Sequence, residues 1–307
     1  MPATGARAGR WAALATEGRN RRSRGLDALP TERAVALLLD EDRRALVAAG
    51  RARAKVARAA RLAAGVLANG GDVVFLGAGT SGRLGVLEAA ECPPTFGVPP
   101  RRIRAVMAGG RDAVFLGREG AEDDEAAGRA QGESLRAQDL LVGISASGVT
   151  PFVRGALAGA RARGARTVLV TCAAGAQPRT ADVVVAVPTG PEVLAGSTRL
   201  KAGSATKAVL NAITTAAMVR LGKVYEDLMV DVQPTSAKLA DRSRRIVAAA
   251  AGVSPGQAAR LLVAAGGEVK TAVVMARLGF PAEAARERLR RCGGLLRQAL
   301  GPSRRRP

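Results

Sequence analysis

The chain has 307 residues and a formal net charge of +21, with no histidine, 2% aromatic residues and three scattered cysteines, Cys92, Cys172 and Cys292. That composition excludes His-based catalytic triads and His-ligated metals, offers no disulfide or metal spacing, and leaves no aromatic platform on which nucleic-acid bases could stack. The arginine surplus, densest at 19–24 and 304–306, reads as solvated helix faces that attract small anions and bind polyanions without sequence preference. No stretch of about 18 apolar residues predicts a membrane span, and the N-terminus lacks a signal-peptide pattern, so a reducing cytoplasm is expected.

In chain order, residues 1–30 are Gly- and Arg-rich, and Thr16-Glu-Gly-Arg-Asn20 forms a polar patch expected to be an arm on a partner or at a substrate mouth. Pro30-Thr31 signals a helix start, with Val35, Leu38 and Leu39 at helical spacing. Asp40-Glu-Asp42 predicts a break into a second helix, which ends at Asn69-Gly-Gly71. A short apolar run, 73–76, reads as a buried parallel strand. The Gly-rich turn after it leads into a helix beginning near Gly82, covering 83–90 and stopping before Cys92-Pro-Pro94. Further strands are predicted at 103–107, 140–144, 167–171 and 183–187, with a helical region over 111–132 and a helix opening at Pro151. A long helix then runs to Leu221. Beyond Asp241 short helices are separated by breaks at 252–255, 266–267 and 279–281.

Alternating strands and helices predict an α/β fold, a parallel sheet sandwiched by helices, followed by a small C-terminal helical bundle. The expected domains are 1–240, with its N-terminal helical arm, and 241–307.

Two loops fall at carboxyl ends of strands, where such sheets bind ligands. In the first, Gly79, Thr80 and Ser81 combine backbone that approaches a ligand closely with hydroxyls beside a helix N-terminus, which suits a phosphate. Its G-x-G-x-x-G spacing matches the dinucleotide fingerprint literally. However, the second strand ends in Ala108-Gly-Gly110, without the acid that holds a ribose. In the second loop Ser145, Ser147 and Thr150 supply more hydroxyls than one helix cap needs. Lys201 and Lys207 lie near a helix start and are candidates to meet an anion or to serve the surface.

Without histidine, acid–base chemistry falls to carboxylates, lysines, tyrosine or cysteines. Glu91, at the predicted helix end before two prolines, would meet the negative end of the helix dipole, which raises a carboxyl pKa and suits a proton donor. A second carboxylate sits in the cluster Glu119, Glu122, Asp123, Asp124, Glu125. The residues alone do not choose Glu122 over Glu119 or Glu125.

At these segments the chain resembles the N-acetylmuramic acid 6-phosphate etherases, of the sugar isomerase (SIS) fold. The resemblance spans about 16–300 and is carried by Gly77-Ala-Gly-Thr-Ser-Gly-Arg-Leu-Gly85, Glu91-Cys-Pro-Pro-Thr-Phe-Gly97, Glu119-Gly-Ala-Glu-Asp-Asp124, 145–151, Gly190-Pro-Glu192 and Gly196-Ser-Thr-Arg-Leu-Lys201. It implies Glu91 as the acid that protonates the departing lactate oxygen and Glu122 as the base that removes the C2 proton. It also implies phosphate binding by Thr80, Ser81, Ser145, Ser147 and Thr150, a homodimer with sites near the subunit interface, and no cofactor or metal. Val149 stands where the family commonly has arginine, and Arg21 where proline often follows the asparagine. Glucokinase regulatory proteins share the sugar-phosphate site, so a non-catalytic sensor is the alternative; an aldose–ketose isomerase shares the fold. A nucleic-acid-associated protein rests on charge alone.

Overall fold

A computed structural model describes residues 14–175, 178–232 and 236–301. The basic run at 304–306 lies outside the described residues. The chain divides into two compact units: one of 14–90 with 101–214, the other of 91–100 with 215–301.

The first unit opens with helices α1 (Thr31–Arg51) and α2 (Arg53–Ala68). Strands β1 (Val73–Gly77), β2 (Ile103–Met107), β3 (Leu140–Ile144), β4 (Arg166–Thr171) and β5 (Val183–Ala186) form one parallel sheet in the order β2-β1-β3-β4-β5. Helix α3 (Gly79–Phe96) follows β1, α4 (Glu125–Glu133) precedes β3, α5 (Pro151–Ala162) follows β3, and α6 (Lys201–Arg220) closes the series. β1 and β3 are buried at every residue, as expected for central strands covered on both faces. Val74, Leu76, Leu141, Phe152, Val153, Leu157 and Leu169 share one core cluster, which joins β1, β3 and β4 to α5.

The sheet reverses direction of growth at β1, whose neighbours are β2 on one side and β3 on the other. Gly77 and Ile144 are paired partners at the ends of β1 and β3. The loops that leave these two strands therefore open side by side at the crevice where such sheets bind ligands.

Helices α4 and α5 meet backbone to backbone. A Cβ at Gly128 would strike the Phe152 carbonyl, one at Gly132 the Ala156 carbonyl, one at Gly155 the Glu125 carbonyl and one at Gly159 the Arg129 carbonyl. The four glycines alternate across the contact at spacing four, so one ridge of each helix is absent and the other helix fills its place.

Three expectations are corrected. α1 runs unbroken through Asp40-Glu-Asp42 to Arg51, because ion pairs from Arg22, Arg43 and Arg44 offset the crowding of carboxylates there. α3 begins at Gly79, not near Gly82, and carries Pro93 and Pro94 inside it before ending at Phe96. The 111–132 region is two 3₁₀ turns, Arg111–Val114 and Ala121–Asp123, followed only then by α4.

In the second unit a two-stranded ribbon, β6 (Val224–Tyr225) with β7 (Leu228–Met229), accompanies five helices: α7 (Ala237–Ala251), α8 (Pro255–Ala264), α9 (Val269–Leu278), α10 (Ala282–Arg291) and α11 (Leu296–Leu300). The breaks between them fall where Gly and Pro predicted. Gly252 and Gly279 adopt φ of 69° and 72° at helix ends, and Ser254 forms a capping box with Gln257. Val247, Ala258, Val273, Ala285 and Leu296 centre its core. Among the described residues no single helix is long and apolar enough to cross a membrane.

Gly155→Ala adds a Cβ against the Glu125 carbonyl. Its helix-propensity gain of about 1 kcal/mol is outweighed by an overpacking cost of about 1–3 kcal/mol or more, since backbone and not a side-chain tip must move. Gly65→Ala, in α2 with open space at the added Cβ, is expected to gain about 0.5–1 kcal/mol. Urea unfolding of the two variants should shift the midpoint in opposite directions.

Candidate functional site

The first loop is shaped by glycine. A Cβ at Gly82 would lie 2.5 Å from the Gly77 carbonyl oxygen, so α3 starts hard against the end of β1. Gly79 adopts φ of 53° and is exposed at the mouth, with Thr80 and Ser81 half-buried behind it in the first turn of α3.

The second loop closes on itself. The buried Ser145 hydroxyl is 2.8 Å from that of Thr150 and 3.4 Å from that of Ser147, and accepts from Gly148 N at 3.0 Å. The Ser147 hydroxyl accepts from Val149 N at 3.3 Å. Gly148 sits at φ of 75°, where a side chain would be strained. Thr150 is the N-cap of α5 but spends its hydroxyl on Ser145, and Pro151 needs no acceptor. The first N–H groups of α5 thus remain uncapped by Thr150 beside a ring of hydroxyls, an arrangement suited to anion oxygens.

A cleft of about 320 Å³ beside the first loop is lined by Gly79 and Arg83 on one side and by Gly117, Arg118, Glu119 and Glu122 on the other. Arg83 donates to the Val114 and Ala113 carbonyls at 2.7 and 2.9 Å, and Arg118 to the Gly109 carbonyl at 3.1 Å, which fixes the loop that carries the two glutamates. Glu125 opens α4 and does not line the cleft. Among the carboxylates left open by the sequence, Glu119 and Glu122 share the cleft with Gly79.

Glu91 is exposed on α3, inside the helix and five residues before its end. The reading that placed it at a helix terminus is therefore corrected. The prolines continue the helix instead of straightening the chain. Glu91 follows Thr80 by eleven residues of one helix, a separation of about 16 Å along the axis at 1.5 Å per residue.

Lys201 was a candidate to meet an anion, and the structure gives it a different partner. Its ammonium, 5% exposed, lies 2.6 Å from Glu41 Oε2, and Glu41 also accepts from Asn20 at 2.8 Å and Arg22 at 2.9 Å. Lys207 is exposed. Burial alone would push the Glu41 carboxyl up, but the hydrogen bonds and charges of Lys201, Asn20 and Arg22 hold it below its ordinary range. Glu192, fully buried, accepts from Lys201 N and Ala202 N at 3.3 and 2.9 Å and caps α6; burial pushes its carboxyl up.

The polar arm lies on its own chain. Asn20 donates to the Pro191 carbonyl at 3.3 Å, and a Cβ on Gly196 would lie 3.1 Å from Glu17 Oε2. A Cβ on Gly203, in the first turn of α6, would come within 3.8 Å of the Thr80 methyl, so the 190–204 segment borders the first loop. Glu41, Asn20 and Glu192 escaped sequence reasoning as parts of one network. Pairing across 160 positions leaves no local signal, although Glu192 lies in a motif already noted.

A switch-point crevice with two hydroxyl-rich loops and a carboxylate cleft defines a sugar-phosphate protein of the SIS class. The model of the glucokinase regulatory protein N-terminal SIS domain matches residues 55–161. The N-acetylmuramic acid 6-phosphate etherase of Mycolicibacterium smegmatis is 48% identical over 94% of this chain and 98% of its own. That of Rubrobacter xylanophilus is 49% identical over 95% and 97%. The chain belongs to the N-acetylmuramic acid 6-phosphate etherase family. Among solved structures, the phosphoheptose isomerase of Neisseria gonorrhoeae aligns with a TM-score of 0.43 at 23% identity, over 61% of this chain and 97% of that one.

Glu41→Gln leaves the buried Lys201 ammonium without its charge partner and is expected to cost about 3–5 kcal/mol of stability at neutral pH. Because the folded pKa of Glu41 is depressed, its contribution is full above the ordinary carboxylate value of about 4.3 and is lost as pH falls through the folded value. Thermal unfolding from pH 7 down to pH 3 should therefore show a shallower acid limb in the variant than in the parent.

Proposed function

We propose that this protein cleaves the D-lactyl ether of N-acetylmuramic acid 6-phosphate, giving N-acetylglucosamine 6-phosphate and D-lactate, as a carbon–oxygen lyase of the cytoplasm. Full-length kinship with etherases of that name carries the reading, and the loops and cleft supply matching chemistry. The 6-phosphate sits against Gly79, Thr80 and Ser81 and the hydroxyl ring of Ser145, Ser147 and Thr150, where helix N-termini favour the anion. Opening of the sugar ring frees an aldehyde at C1 that acidifies the C2 proton. Glu122, at the cleft, takes that proton, and the lactyl oxygen leaves C3 with a proton from Glu91. Water then adds at C3 of the unsaturated intermediate.

The length of α3 bears on how the two glutamates cooperate. About 16 Å of helix between Thr80 and Glu91 is longer than one sugar ring with its 6-phosphate. We therefore assign the acid at each site to Glu91 of a second copy, while the phosphate loops and Glu122 come from the first. The alternative, a sugar-phosphate sensor without turnover, predicts saturable binding and no lactate.

In ¹⁸O-water the purified protein should release D-lactate and carry label at C3 of the sugar product, with both outcomes lost in Glu91→Gln and in Glu122→Gln. Binding without lactate would favour the sensor.

A mixture of the two inactive variants tests the sharing of sites. Random pairing of equal amounts makes half the dimers mixed, each with one intact site of two, so about a quarter of wild-type activity should return. A mixture of demonstrably mixed dimers that stays inactive places both glutamates in one copy.

A further inference from the structure

The parallel ladder between β3 and β4 runs one step past β3 and then changes rhythm. Ser145 N still donates to the Val170 carbonyl at 3.0 Å, but the Ser145 carbonyl turns into the hydroxyl loop and accepts from Gly148 N at 3.1 Å. Cys172 N donates instead to the carbonyl of the next residue, Ala146, at 3.0 Å. A second donor reaches that same oxygen: the hydroxyl of Thr171, at 3.2 Å. Thr171 is the last residue of β4 and is 1% exposed. Its hydroxyl oxygen is itself held, accepting from Ala173 N at 3.2 Å. One donor satisfies a buried carbonyl; two, one on each lone pair, also fix its direction. Ala146 stands between Ser145 and Ser147, both members of the hydroxyl ring, so its peptide decides where the two serines are placed.

The same end of β4 reaches a second element. Cys172 Sγ lies 3.6 Å from the Ala202 carbonyl oxygen and 3.7 Å from the Thr206 hydroxyl, both on α6, and the first turn of α6 borders Thr80 through Gly203. The Thr171 carbonyl accepts from Val187 N at 2.8 Å, ahead of the segment that carries Glu192. The end of β4 is thus held between the hydroxyl ring and the helix that neighbours the other loop.

We infer that Thr171 is a positioning residue of the phosphate site, which it serves by holding the Ser145, Ser147 and Thr150 ring through the Ala146 carbonyl. The inference rests on the reading of that ring as the seat of the 6-phosphate in the function proposed above. Valine in place of Thr171 keeps the shape and removes the hydroxyl. The Ala146 carbonyl then keeps Cys172 N alone, Ala173 N loses its acceptor, and the peptide between the two serines gains freedom to turn. Hydroxyls that must be ordered on binding weaken the hold on an anion. Since the phosphate does not react, the loss raises KM and leaves kcat nearly unchanged.

Thr167 supplies the control. It lies at the other end of the same strand, is equally buried, and its hydroxyl also has two partners, donating to Asp182 Oδ2 at 3.3 Å and accepting from Asp182 N at 3.1 Å. In the full chain, Thr171→Val and Thr167→Val should both lower the melting temperature. Only Thr171→Val should weaken N-acetylglucosamine 6-phosphate in titration calorimetry, by about tenfold, with the same factor for inorganic phosphate. Thr171→Ser, which keeps the hydroxyl, should stay within twofold of the parent. In lactate release the Thr171→Val effect should fall on KM, with kcat within twofold. Parental affinity in Thr171→Val, or an equal loss in Thr167→Val, overturns the inference. If Thr171→Val does not fold, Thr171→Ala against Thr171→Ser decides by the same comparison, equal affinities overturning it. A parent that binds the sugar phosphate and releases no lactate removes the etherase reading and leaves the calorimetric comparison to judge Thr171.

Discussion

The backbone contact between α4 and α5 constrains everything near the cleft. Gly128 and Gly132 face Gly155 and Gly159 so closely that any added Cβ would meet a carbonyl of the opposite helix. Interiors pack at crystal-like density and transmit displacement without absorbing it. α5 begins immediately after Thr150, and α4 begins two residues after Asp123. The contact therefore sets the distance between the hydroxyl loop and the carboxylate loop, though neither loop takes part in it. Four glycines, each unfavourable in an isolated helix by about 1 kcal/mol, are tolerated because the close approach buries the helices against β1, β3 and β4 in one core.

A second fixed distance comes from the sheet. Pairing of Gly77 with Ile144 brings the Gly79–Ser81 turn beside the Ser145–Thr150 ring, and the ring satisfies its own hydroxyls before any ligand arrives. Hydroxyls already held in place lose little freedom when they engage an anion. The Glu41–Lys201 pair does comparable work at the start of α6. It is charge-matched, buried and completed by Asn20 and Arg22, so it binds the polar arm and α1 to the segment that borders Thr80. Lys201 is spent on this framework and is not left to greet a phosphate.

The strands were legible because each is a short apolar run bounded by turn residues, and 103–107 and 140–144 coincide with β2 and β3 residue for residue. The C-terminal breaks were equally plain, since Gly and Pro act locally. The misread places share a different cause. Asp40-Glu-Asp42 looks like a helix break until cations from the arm and from α1 itself pair with it. Cys92-Pro-Pro94 looks like a stop, yet a helix tolerates the two prolines at the cost of two backbone donors near its end. In both cases partners or packing outside the local pattern decide. The two hydroxyl-bearing loops were legible as Ser and Thr at strand ends. The choice between Glu119, Glu122 and Glu125 was only half legible, because spacing does not show that Glu125 opens α4 while Glu119 and Glu122 line the cleft.

A sequence can also hide a constraint by making two residues look near. Thr80 and Glu91 fall within one motif-rich stretch, and a reader places both at one site. Helical geometry separates them along the axis, since each residue adds about 1.5 Å and eleven of them add three turns. Chemistry that needs an anion site at the head of α3 and an acid well down its length needs either a much longer ligand or a second helix running the other way.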